Sequence, residues 1–247
     1  MLIRNHSTDI NTPTGPMRTY VYQPVDTGKY PSIIFYSEIF QQTGPIRRAA
    51  QMLAGHGFNV LVPEVFHELN PLGCVLGYDD AGRDKGNADK AQKYLEAHDS
   101  DTQALINFSD SLPSHNGAIG AMGVCLGGHL AFRAAINPRI RAASCFYATD
   151  IHTGGIIPAQ PGNETRNQAQ HITGALQMVW GKQDPHIPAA GRTEVYQLLS
   201  GLNLNFTWHE FNGQHAFMRD EGERYDAELH LLGMQMAIGF FQRGLRG

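Results

Sequence analysis

An α/β fold with a mostly parallel sheet is the expectation from three features of this 247-residue chain. Short apolar runs alternate with helical patterns along its whole length. The residues with chemical potential fall just after the apolar runs, where ligands bind in such sheets. No boundary divides residues 1–247 into two cores, so the chain reads as one domain.

The elements follow in order. Ile33-Ile34-Phe35-Tyr36 is a continuous apolar run, as expected of a strand covered on both faces. Pro45 can open a helix in which Ile46, Ala49, Ala50 and Leu53 share a stripe, and Gly55 and Gly57 supply the stop. Val60-Leu61-Val62, closed by Pro63, is the next strand. From Glu64 to Asp99 the pattern weakens. Gly73, Gly77, Gly82 and Gly86 interrupt it, and charges crowd between Asp79 and Lys93. This stretch reads as an excursion above the sheet that ends in a helix over residues 88–97. Ser100 and Gln103 have capping-box spacing and would open a helix burying Leu105, Phe108 and Leu112. A strand over 118–122 and a helix carrying Leu130, Ala131 and Ala134 come next, ended by Asn137-Pro138. A strand over 142–147 precedes a polar loop, 149–174, too long to be a mere connection. Strand 176–180, helix 189–199 and strand 206–211 follow. The last helix places Leu229, Leu232, Met236 and Phe240 on one stripe.

Composition excludes several classes. Hydrophobic residues make up 42% and charged residues 17%, which argues against disorder. The net charge of −4 excludes a strongly basic nucleic-acid binder. No run of about 18 apolar residues exists to span a membrane. Met1 to Asp9 lacks the apolar stretch of a secretion signal, and three cysteines form no disulfide framework. These features predict a cytoplasmic protein. No His-Glu-x-x-His, ligand-spaced cysteine pair, phosphate loop or dinucleotide fingerprint occurs, so neither metal nor cofactor is expected.

Gly123-Val124-Cys125-Leu126-Gly127-Gly128 follows a strand and opens a helix. This is the G-x-nucleophile-x-G elbow with Cys in place of Ser. The turn is too tight for large flanking side chains. A helix N-terminus behind the sulfur favours thiolate, and the Leu126 amide can face a developing oxyanion. The bland alternative is a Gly-rich turn around a structural Cys. A Cys nucleophile needs a base and a residue to orient it. Asp184, in Gly181-Lys182-Gln183-Asp184-Pro185, and His215, in Gly213-Gln214-His215-Ala216-Phe217, each lie just past a strand. Nucleophile, acid, then His is the order of α/β-hydrolase triads. Taken alone, Asp184 could be a turn residue and His215 a solvated loop residue. Glu38 ends the first buried strand, where an unpaired acid is costly. It reads either as a strand-end carboxylate in water or as an acid aimed at Cys125, with the Ile39 amide as second oxyanion donor. Cys145 reads as core.

With Ser37-Glu38-Ile39-Phe40, Gly123 to Gly128, Gly181 to Pro185 and Gly213 to Arg219 in this order, the chain resembles the dienelactone hydrolase (carboxymethylenebutenolidase-like) family. The resemblance spans roughly Met17 to Phe241. It implies an α/β-hydrolase fold, a three-layer sandwich around the sheet, with Cys125 as nucleophile, His215 as base and Asp184 as its orienter. It also implies that Glu38 contacts the resting thiol and helps control its ionisation. Family members hold a substrate carboxylate with two arginines. Arg219 matches one position and Arg83 is the match for the other, while Tyr147 is a candidate for the pocket lining. The segments 77–89 and 149–174 look unlike the dienelactone enzymes, and specificity would be rewritten there.

The expected partner is therefore a small lactone or ester, neutral or anionic, cleaved by acyl transfer through a thioester. The thiol itself restricts the substrate. Thiolate leaves far more readily than an ordinary alkoxide, so only esters with a stabilised leaving group collapse forwards. The competing expectations are a catalytically weak binding protein or sensor of the same fold, and a thiol redox protein, which would want a C-x-x-C partner that the chain lacks.

Overall fold

The computed structural model describes residues 1–154, 156 and 162–245. Its elements, in chain order, are β1 (Ile3–Thr12), β2 (Gly15–Pro24), β3 (Tyr30–Tyr36), α1 (Gly44–Gly55), β4 (Asn59–Pro63), α2 (Asp80–Lys90), α3 (Leu95–Ser111), β5 (His115–Val124), α4 (Leu126–Ala134), β6 (Ile140–Phe146), α5 (Thr165–Gln168), β7 (Ala175–Gly181), α6 (Ala189–Gly201), β8 (Phe206–Phe211) and α7 (Ala227–Leu245). A short 3₁₀ turn, Ala169–His171, follows α5.

The strands form one eight-stranded sheet in the order β1-β2-β4-β3-β5-β6-β7-β8. β1, β2 and β4 pair antiparallel, and every pairing from β4 onward is parallel. All five residues of β4 are buried, and so are six of the seven in β3. Consecutive buried residues point to opposite faces of a sheet, so both faces are covered by helices. This is a three-layer α/β sandwich.

The expected strands from β3 onward are present: β3, β4, β5 and β7 extend beyond their apolar runs, β6 begins two residues earlier and ends one earlier than expected, and β8 has the expected bounds. The N-terminal hairpin is an element the sequence did not announce. β1 is mostly exposed and shows no alternation, as suits an edge strand.

Three expectations need correction. The helix anticipated over 88–97 straddles a break. α2 runs from 80 to 90 and α3 from 95. The α2 cap is Asp79, whose side chain accepts the Gly82 amide at 2.7 Å. The glycines that made this stretch look irregular are close-approach positions. A Cβ on Gly82 would lie 2.0 Å from the Gly77 carbonyl oxygen, and one on Gly86 would lie 2.8 Å from that of Ile39. Second, Ser100 caps nothing. It lies inside α3 and donates to the Glu96 carbonyl one turn back. Third, the buried face of α7 carries Met234, Ala237, Ile238, Phe240, Phe241 and Leu245. Of the expected stripe Phe240 is buried, Leu229 and Met236 lie at the margin, and Leu232 is exposed. The periodicity was right, but packing against β5, β6 and β7 chose the neighbouring face. In the polar stretch 149–174, α5 and the 3₁₀ turn are ordered structure, and residues 155 and 157–161 lie outside the described residues.

Candidate active site

Cys125 stands between β5 and α4 with φ 58° and ψ −123°. A non-glycine residue there stores roughly 1–3 kcal/mol of strain, so its surroundings must over-determine it. They do so through the backbone. The Cys125 amide donates to Phe146 O at 3.1 Å, and its carbonyl accepts from Gly128 at 3.0 Å and from Thr149 at 3.3 Å. A Cβ on Gly123 would sit 1.8 Å from Gly127 O, and one on Gly127 would sit 2.1 Å from Tyr36 O. Only glycine fits at either position. Leu126 is the first residue of α4, where amides have no acceptor within the helix. Ile39 and Leu126 both line the cleft beside Cys125.

The acid and the imidazole are fixed to each other in the same manner. The Gln183 amide donates to Gly213 O at 2.9 Å, and the Lys182 amide to Phe211 O at 2.7 Å. A Cβ on Gly181 would lie 2.4 Å from Gly213 O, so the two turns touch backbone to backbone. His215 Nδ1 lies 2.6 Å from Asp184 Oδ2, and both side chains are buried. The other Asp184 oxygen accepts the His186 amide at 2.8 Å. Burial pushes the His215 imidazolium down. The electrostatic influence of Cys125, the Asp184 hydrogen bond and hydrogen bonding to Cys125 more than offset this and hold it at about 10. The structure thus brings Cys125, Asp184 and His215 together from the ends of β5, β7 and β8.

Glu38 is not a strand-end carboxylate in water. It is only 2% exposed, and both of its oxygens are engaged. Oε2 accepts the Tyr78 hydroxyl at 3.2 Å, and Oε1 lies 3.3 Å from Arg219 Nε. The Arg219 guanidinium also lies over the rings of Tyr78, at 4.6 Å, and Phe40, at 5.3 Å. Tyr147 does not line the cleft. Its buried ring packs edge-on to His215 at 5.2 Å and lines a cavity of about 20 Å³ behind the site, shared with Glu38 and Arg219. Arg83 reaches only the rim, half exposed and paired with Asp80 and Asp84.

In front of the sulfur lies a cleft of about 800 Å³. α2 forms one wall and the segment 219–224 another. Thr149, Asp150, His186 and His215 complete it. Sequence reasoning missed several of these residues. His186 follows Asp184 by two positions at a strand end, and that placement was the available signal. Its ring meets His215 edge-on at 4.6 Å, and burial followed by the His215 charge lowers its pKa. Lys90 and Asp150 gave no local signal.

One further cluster lies elsewhere. His67, Glu68 and Asp101 bring ligand-type atoms within 4.8 Å of one another. The Lys93 ammonium pairs with both carboxylates there, so the chain supplies the cluster with its own cation. The three cysteines are free thiols, and Cys145 is buried in the core as expected. No helix among the described residues is long and apolar enough to cross a membrane.

A thiol on a strained strand-to-helix turn, a buried His–Asp pair at later strand ends and a cleft over the carboxyl edge of a parallel sheet define an α/β-hydrolase. The fold agrees with that of a solved structure titled "Putative Dienelactone Hydrolase" from Klebsiella pneumoniae: TM-score 0.82, 20% identity, covering 98% of this chain and all of that one. Residues 17–245 match the family model described as "Dienelactone hydrolase family". The chain is 38% identical over 262 residues to a Saccharomyces cerevisiae protein named "Putative carboxymethylenebutenolidase", covering 100% of this chain and 94% of that protein. It is 28% identical over 204 residues to a Rhodococcus opacus "Carboxymethylenebutenolidase", covering 81% and 75% respectively. The chain belongs to the dienelactone hydrolase family, and it is a hydrolase of that kind.

Proposed function

We propose that this hydrolase opens a small lactone or cleaves an activated ester through a Cys125–His215–Asp184 triad and a thioester intermediate. The observation that carries the reading is the His215 ring. It is buried, hydrogen-bonded to Asp184, and raised in pKa by the sulfur beside it. Such an imidazole holds the proton that the thiol gives up, leaving thiolate as the attacking species.

The thiolate adds to the substrate carbonyl. The amides of Ile39 and Leu126 receive the developing oxyanion. The tetrahedral adduct collapses with cleavage of the carbon–oxygen bond, and the imidazolium protonates the departing oxygen. In a lactone that oxygen stays tethered to the acyl group. Water, deprotonated by His215, then attacks the thioester, and the sulfur leaves to give the carboxylic acid. An ordinary alkoxide leaves less readily than thiolate, so its adduct would return to ester. Enol lactones and aryl esters, whose leaving groups are stabilised, go forwards. The names of the relatives accord with this class.

Arg219 is the cation placed for a substrate carboxylate. Glu38 balances its charge, so Glu38 acts on the site through Arg219 and Tyr78. Tyr147 acts from behind, by packing on the His215 ring. We place the protein in the cytoplasm, where its three free thiols would stay reduced.

Turnover of p-nitrophenyl acetate tests the proposal. Wild type should release p-nitrophenolate and lose activity on alkylation by iodoacetamide. Cys125→Ala should fall by about a thousandfold or more, as when other covalent-catalysis nucleophiles are removed. Turnover retained in Cys125→Ala would overturn the assignment, and binding without turnover by wild type would favour a binding protein.

A further inference from the structure

Asp80, Arg83, Asn87 and Lys90 recur at helical spacing, share one face of α2 and all line the cleft. Along this face the side chains sink inward. Asp80 is 88% exposed, Arg83 54% and Lys90 21%. Lys90 therefore stands at the deep end of the wall, about 15 Å along the helix axis from Asp80. Its ammonium lies 3.1 Å from Asp150 Oδ2. Asp150 adjoins Thr149, whose amide donates to the carbonyl of Cys125. The Lys90–Asp150 pair thus lies beside the turn that bears the sulfur.

Among the described residues four arginines and lysines line the cleft, and they differ in how firmly they are held. Arg219 lies over the rings of Phe40 and Tyr78, and its acid, Glu38, is buried and also bound by Tyr78. Glu38 has no water to move into. Arg83 is shared by two exposed acids at the rim. Arg224 is exposed at the outer edge. Lys90 alone pairs deep in the cleft with a single carboxylate that can leave. Asp150 is 26% exposed, so its side chain can turn to solvent without losing hydration.

Building on the proposed hydrolase reading, we infer that Lys90 reads an anionic group of the substrate and that Asp150 occupies this position when no substrate is bound. A substrate carboxylate takes the place of the Asp150 carboxylate on the ammonium. The deep cleft thereby keeps its charge balance, and a neutral ester makes no such exchange. Asp150 acts as an internal competitor, which sets how strongly the cleft prefers anionic substrates.

A matched pair of esters tests this: p-nitrophenyl butyrate, which is neutral, and p-nitrophenyl hemisuccinate, which carries a carboxylate at the same length. The readout is the ratio of kcat/KM, anionic over neutral. Lys90→Met should lower the ratio about fivefold and Asp150→Asn should raise it about fivefold, both through KM, as expected for one partly exposed ion pair. Lys90→Arg should keep the ratio near wild type, and the double variant should behave as Lys90→Met. A ratio unmoved in Asp150→Asn, or both esters moving alike in each variant, would overturn the inference. Calorimetry of succinate binding to Cys125→Ala gives an answer independent of turnover. Asp150→Asn should tighten that binding, and unchanged affinity counts against the inference. Should wild type hydrolyse neither ester through Cys125, the hydrolase reading falls, and the succinate experiment still decides the role of Lys90.

Discussion

Between Gly123 and Gly128 the chain is held by backbone against backbone, whereas along α2 the cleft wall is held at the tips of long side chains. In the first region a single added carbon would meet Gly127 O or Tyr36 O at about 2 Å. In the second, Arg83 and Lys90 meet carboxylates at 2.7 and 3.1 Å, with 54% and 21% of the side chain exposed. A backbone contact cannot be relieved by a rotamer change, but an ion pair can open and find water. The elbow accordingly fixes where the sulfur stands, and the wall can exchange partners with whatever enters. Positioning and selectivity are assigned to parts of the fold with different stiffness.

The largest effect should come from stiffening what is already full. In Gly127→Ala the new Cβ meets the Tyr36 carbonyl, a backbone atom with no rotamer to yield. A loss of about 3 kcal/mol is expected, the upper end for overpacking. Thermal unfolding should show Tm lower by about 10 °C. An unchanged Tm would mean that the elbow is as adaptable as the wall.

The His215 titration tests the coupling within the rigid region. Its folded pKa, about 10, lies above the ordinary 6.5 of an imidazole. The stabilisation it brings is complete below about pH 6.5 and is lost as the pH rises through 10. Burial lowers this pKa, and Cys125 contributes the largest upward effect. Cys125→Ala should therefore move the ring titration, followed by NMR, to lower pH. Its alkaline loss of stability should begin correspondingly earlier. A titration that does not move would separate the imidazole from the sulfur.

Smaller effects belong to the wall. Arg219→Ala should raise KM for p-nitrophenyl hemisuccinate about tenfold and leave the butyrate ester nearly unaffected, because a partly buried cation is lost. Equal changes for the two esters would remove its proposed role. Arg83→Ala should change either KM by less than about twofold, since its guanidinium is half exposed and already shared by two acids. A larger effect would show that the rim closes on the substrate.

The same division explains what could be read along the chain. Cys125, Asp184 and His215 were legible because each sits in a turn whose glycines and prolines are local signals. Glu38 was legible as a costly acid, but its partners were not, since Tyr78 and Arg219 lie 40 and 181 residues away. α2 was obscured for a related reason. Gly82 and Gly86 weaken a helical pattern in isolation, and only their contacts with Gly77 and Ile39 show why glycine is needed there. The hairpin of β1 and β2 escaped notice because an exposed edge strand needs no apolar alternation.

From the linear chain alone came the alternation that dictates a covered parallel sheet, and the nucleophile, acid and base in their order. Those follow from periodicity and turn chemistry, which act over a few residues. Which face of α7 is buried, which acid neutralises Arg219 and which carboxylate rests on Lys90 emerged only with the folded chain. Those choices depend on distances between segments far apart in sequence, and no local preference encodes such a distance.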